Sequence, residues 1–487
     1  MIEKIKKDWF GNIRGDILSG IVVALALIPE ALAFAIIAGV DPMVSLYACF
    51  CIAIIISFVG GRSGMISAAT GAMALLMMPL IKEHGLQYLL AATILTGILQ
   101  FLFGVFKIAN LMKFIPRAVM LGFVNALGIL IFTTQLQHIV GISAMTYVFV
   151  AITLAIVYIL PRYIKVIPAP LIAIVVLTAV VIFGGFDLRT VGDMGNISQT
   201  LPTFLIPDIP FNLDTLLIIL PYSFALAIVG LLESLLTSSL IDDMTDTTSN
   251  KNKEARGQGI ANIVTGFFGG MAGCALIGQS IINMKSGGRG RLSTFVSGAF
   301  LMFLIIVMGD LVLKVPMPVL AGIMVMVAFT TFDWSSFRFM RQAPKTDVIV
   351  MLVVIAVVLW THDLSKGVIA GVILSAIFFV AKISKIKVSQ QFKGNTQLYK
   401  VDGQLFFAST TGFINSFDTS VSQQQITIDF TDAHIWDDSA VGAVDKLLTK
   451  YRDNDNSVKI IGLNSASKQL VERILDPGQS KPKLANH

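Results

Sequence analysis

The sequence predicts a polytopic, all-α membrane domain followed by a small α/β domain, and three observations carry this. Of 487 residues 55% are hydrophobic and 14% charged, with a mean hydropathy of +0.80. No soluble fold of this length hides so much apolar surface. The Lys and Arg residues lie between apolar runs, so the net charge of +6 reads as membrane orientation rather than nucleic-acid binding. From about Val388 the composition turns polar and begins to alternate.

A hydrocarbon core takes about 20 apolar residues as helix. On that ruler spans fall near 16–38, 43–60, 66–81, 87–106, 116–138, 145–163 and 168–185. A second set falls near 214–240, 257–271, 276–286, 292–313, 317–332, 346–361 and 364–384. The basic start (Lys4, Lys6, Lys7) leads into an apolar run long enough to span, so no cleavable signal peptide is expected. Loops after even-numbered spans carry Arg62; Lys107, Lys113 and Arg117; Arg162 and Lys165; Lys251, Lys253 and Arg256; Lys285, Arg289 and Arg291; Arg338, Arg341 and Lys345; and Lys382, Lys385 and Lys387. Opposite loops hold only Lys82, Arg189, Lys314 and Lys366. The asymmetry places both termini in the cytoplasm of a multi-pass cell-membrane protein.

Two groups of seven spans are related by inversion, because an odd count reverses the second half. The third span of each half is short and rich in small residues: Ser63-Gly64-Met65-Ile66-Ser67-Ala68-Ala69-Thr70-Gly71 and Gly269-Gly270-Met271-Ala272-Gly273-Cys274-Ala275-Leu276-Ile277-Gly278-Gln279-Ser280. Paired interruptions of this kind point to a transporter binding site near the bilayer midplane. Irregular backbone at that depth is tolerated only where it lines a cavity or is buried in protein.

Beyond Val388, Leu398–Val401 and Gln404–Phe407 read as strands, as do Ile426–Phe430 and Val458–Leu463, with a helix over Ser439–Tyr451. The domains are placed at 1–387, 388–478 and a disordered tail at 479–487. Cys49, Cys51 and Cys274 lie in apolar runs without metal spacing and read as small core residues. His84, His138, His362 and His434 read as surface or interface residues. No phosphate-loop motif GxxxxGK[ST] is present, so nothing in the sequence points to ATP-driven transport.

Several motifs resemble the SulP family, the sulfate-permease-like anion transporters related to prestin and pendrin. They are Gly15-Asp16-Ile17-Leu18-Ser19-Gly20 with Leu27-Ile28-Pro29-Glu30-Ala31, Leu232-Glu233-Ser234-Leu235-Leu236-Thr237, Arg256-Gly257-Gln258-Gly259-Ile260-Ala261-Asn262, and Pro316-Met317-Pro318-Val319-Leu320-Ala321-Gly322-Ile323. The C-terminal domain resembles the STAS domain shared with anti-sigma-factor antagonists, with Asp437-Asp438-Ser439-Ala440 at its signature loop. The resemblance implies a seven-plus-seven inverted repeat in which a core domain moves against a gate domain, usually in a homodimer. It implies no enzyme and no cofactor. Cytoplasmic partners would act through the STAS domain.

The expected substrate is a small anion of the sulfate, bicarbonate or dicarboxylate class. It would be held at Ser67, Ala68, Ala69, Thr70, Ala275, Leu276, Ile277, Gly278 and Gln279, where helix N-termini each offer about half a positive charge, with Glu30 of the first span at the same site. Close helix packing through small residues is the competing explanation of these positions. Glu30 follows Pro29 where family sequences commonly have Gln. Gln279 stands where many relatives carry Arg, so a fixed cation is missing.

A carboxylate inside a membrane helix costs about 3 kcal/mol on insertion scales, so Glu233 reads as functional. With Thr237 one turn on, it forms the candidate site for a coupling H⁺ or Na⁺. A structural carboxylate is the alternative. Two carboxylates and an anion in a poorly solvated cavity favour protonation of one Glu or its neutralisation by a bound cation. Ser439 reads as a helix N-cap or as a regulatory phosphorylation site. Transport by alternating access is the leading expectation; an anion channel, an exchanger or a voltage-responsive motor of the same fold is the alternative, and a membrane-anchored signalling protein is a third class.

Overall fold

A computed structural model describes residues 6, 8–109, 115–163, 168–193, 199–393, 396–474 and 483–484. Lys4, Lys7, Lys113, Lys165 and most of the expected tail lie outside these. The chain divides into two compact units after Val372.

Up to Ile383 a helix or half-helix occupies every predicted span, and the last helix runs across the division. The first half comprises α1 (Ile13–Ala38), α2 (Pro42–Val59), β1 (Ser67–Ala69), α3 (Gly71–His84), α4 (Leu86–Val105), α5 (Arg117–Ile139), α6 (Ala144–Ile159) and α7 (Ala169–Gly184). The second comprises α8 (Leu213–Thr245), α9 (Lys251–Phe267), β2 (Gly273–Ala275), α10 (Ile277–Lys285), α11 (Arg291–Leu313), α12 (Met317–Thr331), a short bridging helix α13 (Ser336–Gln342), α14 (Lys345–Thr361) and α15 (Leu364–Ile383). Nine helices among the described residues are long and apolar enough to cross a membrane. The ninth span begins earlier than predicted. Asn250 caps α9 by accepting from Lys253 N, so the basic residues 251–256, expected in a loop, are helical.

Local chemistry explains the boundaries. Gly39, with φ +77°, closes α1 by donating to Ala35 O and Ile36 O. Asp41 caps α2, and Pro42 occupies its first turn. Asn212 caps α8, whose 33 residues span about 50 Å, well beyond a hydrocarbon core.

The packing recurs in matched pairs. α4 lies on α8 and α9, and α11 lies on α1 and α2. α5 packs against α14, and α12 against α6. α5 and α12 pack on each other. α4 and α9 approach through small residues: a Cβ added at Gly97 would lie 2.5 Å from Gly259 O.

The second unit contains a five-stranded sheet, ordered β3 (Lys387–Lys393), β4 (Thr396–Leu405), β5 (Gln425–Ile435), β6 (Ser457–Ile461) and β7 (Lys483–Leu484). β3 and β4 pair antiparallel and the rest pair parallel. The two strand-like runs around residue 400 form one strand with a register shift at Lys400/Asp402. β7 lies within the segment expected to be a disordered tail. Helices α16 (Thr410–Asn415), α17 (Asp438–Asp453) and α18 (Ser465–Ile474) complete the unit. Ile426, Ile428 and Phe430 alternate inward on β5 and meet Val441, Val444, Leu447 and Leu448 of α17 in one core.

Candidate functional site

The interrupted third span of each half meets the other as a strand. β1 and β2 pair antiparallel, with Ser67 opposite Ala275, Ala68 opposite Cys274 and Ala69 opposite Gly273. Only small side chains permit this approach. A Cβ at Gly273 would collide with the main-chain oxygen of Ala68. Because the strands are antiparallel, α3 and α10 leave the pair in opposite directions. Both positive helix ends therefore look back at it.

Extended backbone in a membrane domain needs partners for its polar groups. Leu276 N donates to Ile66 O at 2.9 Å, and Ile66 N donates to Ser280 Oγ at 3.0 Å. Ala275 N donates to Ser234 Oγ at 3.1 Å. Gly273 is held at both polar atoms by Asn262, and Gln258 Nε2 donates to Ser67 Oγ at 2.6 Å. Gln258 and Asn262 are fully buried and lie one turn apart on α9. A single helix face thus pins both strands. Sequence reasoning missed this clamp, although an i, i+4 pair of amides in a span was its visible signal.

The two strand–helix junctions differ. Thr70 caps α3, its Oγ1 accepting from Met73 N at 3.4 Å. No side chain caps α10, whose cap residue is Leu276. Gly278 is exposed, and a Cβ there would meet nothing within 4 Å. The first turn of α10 therefore borders open space. Ser67, Ala68, Ala69, Thr70 and Ala275 are buried, while Leu276 and Ile277 are half-buried.

Two acidic contacts flank the pair. Glu233 is half-buried, and its Oε2 accepts from Cys274 Sγ at 2.7 Å. Thr70 Oγ1 lies 3.3 Å from the same sulfur. Cys274, read as a packing residue, is a hydrogen-bonding neighbour of Glu233. Thr237 Oγ1 donates to the main-chain oxygen of Glu233 at 2.7 Å rather than to its carboxylate. On the other side Gln279 Nε2 donates to Glu30 Oε1 at 2.9 Å. Gln279 is 1% exposed and its Oε1 has no hydrogen-bond partner among the described residues.

In the second unit Asp437 caps α17. Its Oδ1 accepts from Ala440 N at 2.9 Å and its Oδ2 from Phe407 N at 2.8 Å. The N-cap role expected of Ser439 therefore belongs to Asp437, and Ser439 is exposed in the first turn. No group of three or more His, Cys, Asp or Glu residues that could hold a metal occurs among the described residues.

Residues 13–150 and 143–355 match the sulfate permease family. The chain belongs to that family. Residues 387–474 match the STAS domain. The chain is 61% identical over 471 residues to the putative sulfate transporter YbaR of Bacillus subtilis (strain 168), covering 96% of this chain and 98% of that one. Its structure is similar to the transmembrane domain of a cyanobacterium bicarbonate transporter, BicA, at 27% identity and a TM-score of 0.65, covering 74% of this chain and 98% of that one. It is also similar to the murine Solute Carrier 26 family member A9 anion transporter in the inward-facing state. There the TM-score is 0.83 at 17% identity, covering 96% of this chain and 88% of that one, which shows a shared fold. These family members are named as transporters, not enzymes, and this chain is a multi-pass membrane protein with a C-terminal STAS domain.

Proposed function

We propose that this protein is a secondary active transporter of a small anion of the sulfate, bicarbonate or dicarboxylate class, coupled to H⁺ or Na⁺ as a symporter. The observation that carries the reading is the β1–β2 pair. It aims two positive helix ends at one place, one of them uncapped and open at Gly278. Backbone N–H groups at a helix start are ready-made donors for an oxyanion. The names of the sulfate and bicarbonate transporters that the chain resembles support the substrate class.

The reading includes alternating access by an inverted repeat. The matched packing of α4 on α8 with α11 on α1 supports it. In this reading the substrate sits at Ser67–Thr70 and Ala275–Gln279 with Glu30 at its edge, and Glu233 with Thr237 serves the coupling ion. Both termini are cytoplasmic, the protein is a homodimer, and the STAS domain with Ser439 is its regulatory face.

Uptake of labelled sulfate, bicarbonate and dicarboxylates into proteoliposomes, with H⁺ and Na⁺ gradients set independently, tests this. One anion class should accumulate above its equilibrium level under one of the two cation gradients. Anion movement that only dissipates its own gradient, whatever the cation, would instead point to a channel or an exchanger.

A further inference from the structure

We infer that the bridge between α12 and α14 is a binding site for the phosphodiester headgroup of an anionic phospholipid. By the hydropathy reading of spans near 317–332 and 346–361, the bridge joins two membrane spans and falls at the membrane surface. It is held rather than loose. The buried Asn125 of α5 accepts from Asp333 N at 2.8 Å and donates to Ser336 Oγ at 2.6 Å. Trp334 Nε1 donates to Phe329 O at 3.0 Å, fixing the indole. The Trp334 ring lies 5.0 Å from Phe332, 6.1 Å from Phe329 and 6.1 Å from Phe337 between centroids. This aromatic platform nevertheless leaves Trp334 57% and Phe337 50% exposed.

Beside the platform is a cavity of about 740 Å³ lined by Trp334, Ser335, Phe337, Arg338, Arg341 and Gln342. Arg338 and Arg341 are three residues apart and share a helix face. Neither has an ion-pair or hydrogen-bond partner among the described residues, and no carboxylate lines the cavity. Two uncompensated guanidinium groups present forked donors that match phosphate oxygens. Exposed Trp fits the boundary between headgroups and acyl chains, and Phe suits the apolar face of a helix lying in it. The combination selects a lipid over a free phosphate ester, because a soluble ion would leave the aromatic platform bare. Arg338, Arg341 and Lys345 also belong to the loops that the charge asymmetry places in the cytoplasm, the side whose leaflet attracts basic residues when its lipids are anionic.

The test uses the purified full-length protein titrated with phosphatidylglycerol or phosphatidylcholine, with bound lipid counted by native mass spectrometry. Phosphatidylglycerol should bind the wild type more tightly than phosphatidylcholine. Replacing the arginines in Arg338→Gln/Arg341→Gln should weaken phosphatidylglycerol about fivefold for each arginine removed, the scale of one basic side chain at an anionic surface. Phe337→Ser, which leaves both charges, should also weaken it. Glycerophosphoglycerol, the headgroup without acyl chains, should not compete at equal concentration. Unchanged phosphatidylglycerol binding in the double variant would overturn the assignment. So would equal competition by the soluble headgroup, which would mark a free phosphate-ester site, and so would a change of oligomeric state in the double variant without loss of lipid, which would mark a protein interface.

Discussion

Asn262 grips Gly273 by both polar atoms: Nδ2 donates to Gly273 O at 3.0 Å, and Gly273 N donates to Oδ1 at 2.9 Å. The same Nδ2 donates to Gln100 Oε1 at 2.8 Å, so one amide ties α4, α9 and β2 together. Asn262→Ala would leave a buried main-chain N–H and C=O without partners, each costing about 1–3 kcal/mol. The expected outcome is a lower unfolding temperature together with loss of uptake. Asn262→Asp keeps the acceptor for Gly273 N but sets a buried carboxylate oxygen against Gly273 O and Gln100 Oε1, so it should not rescue stability. Equal stability of Asn262→Ala and wild type by thermal unfolding would show that the clamp holds nothing.

Two glycines near the strand pair separate structure from site. Gly273→Ala drives a Cβ into the Ala68 main-chain oxygen and should abolish the fold of the pair, with poor yield and no uptake. Gly278→Ala enters open space and should leave unfolding within about 0.5 kcal/mol of wild type, as for a surface substitution. If anions bind at the start of α10, the larger Gly278→Leu should raise the half-saturation concentration for the anion while stability holds. An unaltered half-saturation concentration would move the site elsewhere. Ala69 and Ala275 are poor probes, since both are 1% exposed and Leu there would disturb packing as well as binding.

Much of this arrangement was readable in the sequence, for a physical reason. Apolar length is imposed by the bilayer, so α1 to α8, α10 to α12, α14 and α15 lie near where hydropathy put them, while α9 starts six residues early in a polar stretch that hydropathy does not mark. The small-residue runs at Ser67–Gly71 and Gly273–Gly278 were legible because they break that pattern. What could not be read was the partner of each polar side chain. Gln279 stood out as a missing arginine, but nothing in the chain shows that it donates to Glu30, 249 positions away. Cys274 looked like packing because a thiol in an apolar run usually is, and only the strand pairing carries it to Glu233. Ser439 offers a hydroxyl that suits a cap as well as a phosphorylation site, and only the fold shows that Asp437, two residues earlier, caps the helix and also reaches Phe407 N.

That competition at the start of α17 is testable. Asp437→Ala removes the acceptor for Ala440 N and for Phe407 N. It should destabilise the STAS domain by about 1–2 kcal/mol, the cost of a lost cap. Ser439→Ala should change stability by less than about 0.5 kcal/mol, because the side chain is exposed and caps nothing. Limited proteolysis of the full-length protein, scored by cleavage after residue 388, reads both. Greater sensitivity of Ser439→Ala than Asp437→Ala would reverse the assignment.

Glu233 carries the coupling prediction. Its Oε2 is engaged by the Cys274 thiol on β2, so the carboxylate is connected directly to the strand that leads into α10. A change of charge on Glu233 is therefore felt on β2, and on the proposed reading it reaches the anion site. If a cation or proton neutralises Glu233, anion and cation binding favour each other, and linkage makes the effect reciprocal. Glu233→Gln mimics the neutral state and keeps a side-chain oxygen for the Cys274 thiol. It should bind the anion and lose its dependence on the driving cation. Cys274→Ser keeps a donor and should transport; Cys274→Ala removes the donor and should weaken coupling without abolishing anion binding. The measurement is uptake against pH at fixed Na⁺, then against Na⁺ at fixed pH, in wild type and each variant. If Glu233→Gln concentrates substrate as well as wild type under the same imposed gradients, coupling resides elsewhere. Glu30, held by Gln279 at 2.9 Å, is then the carboxylate to replace next.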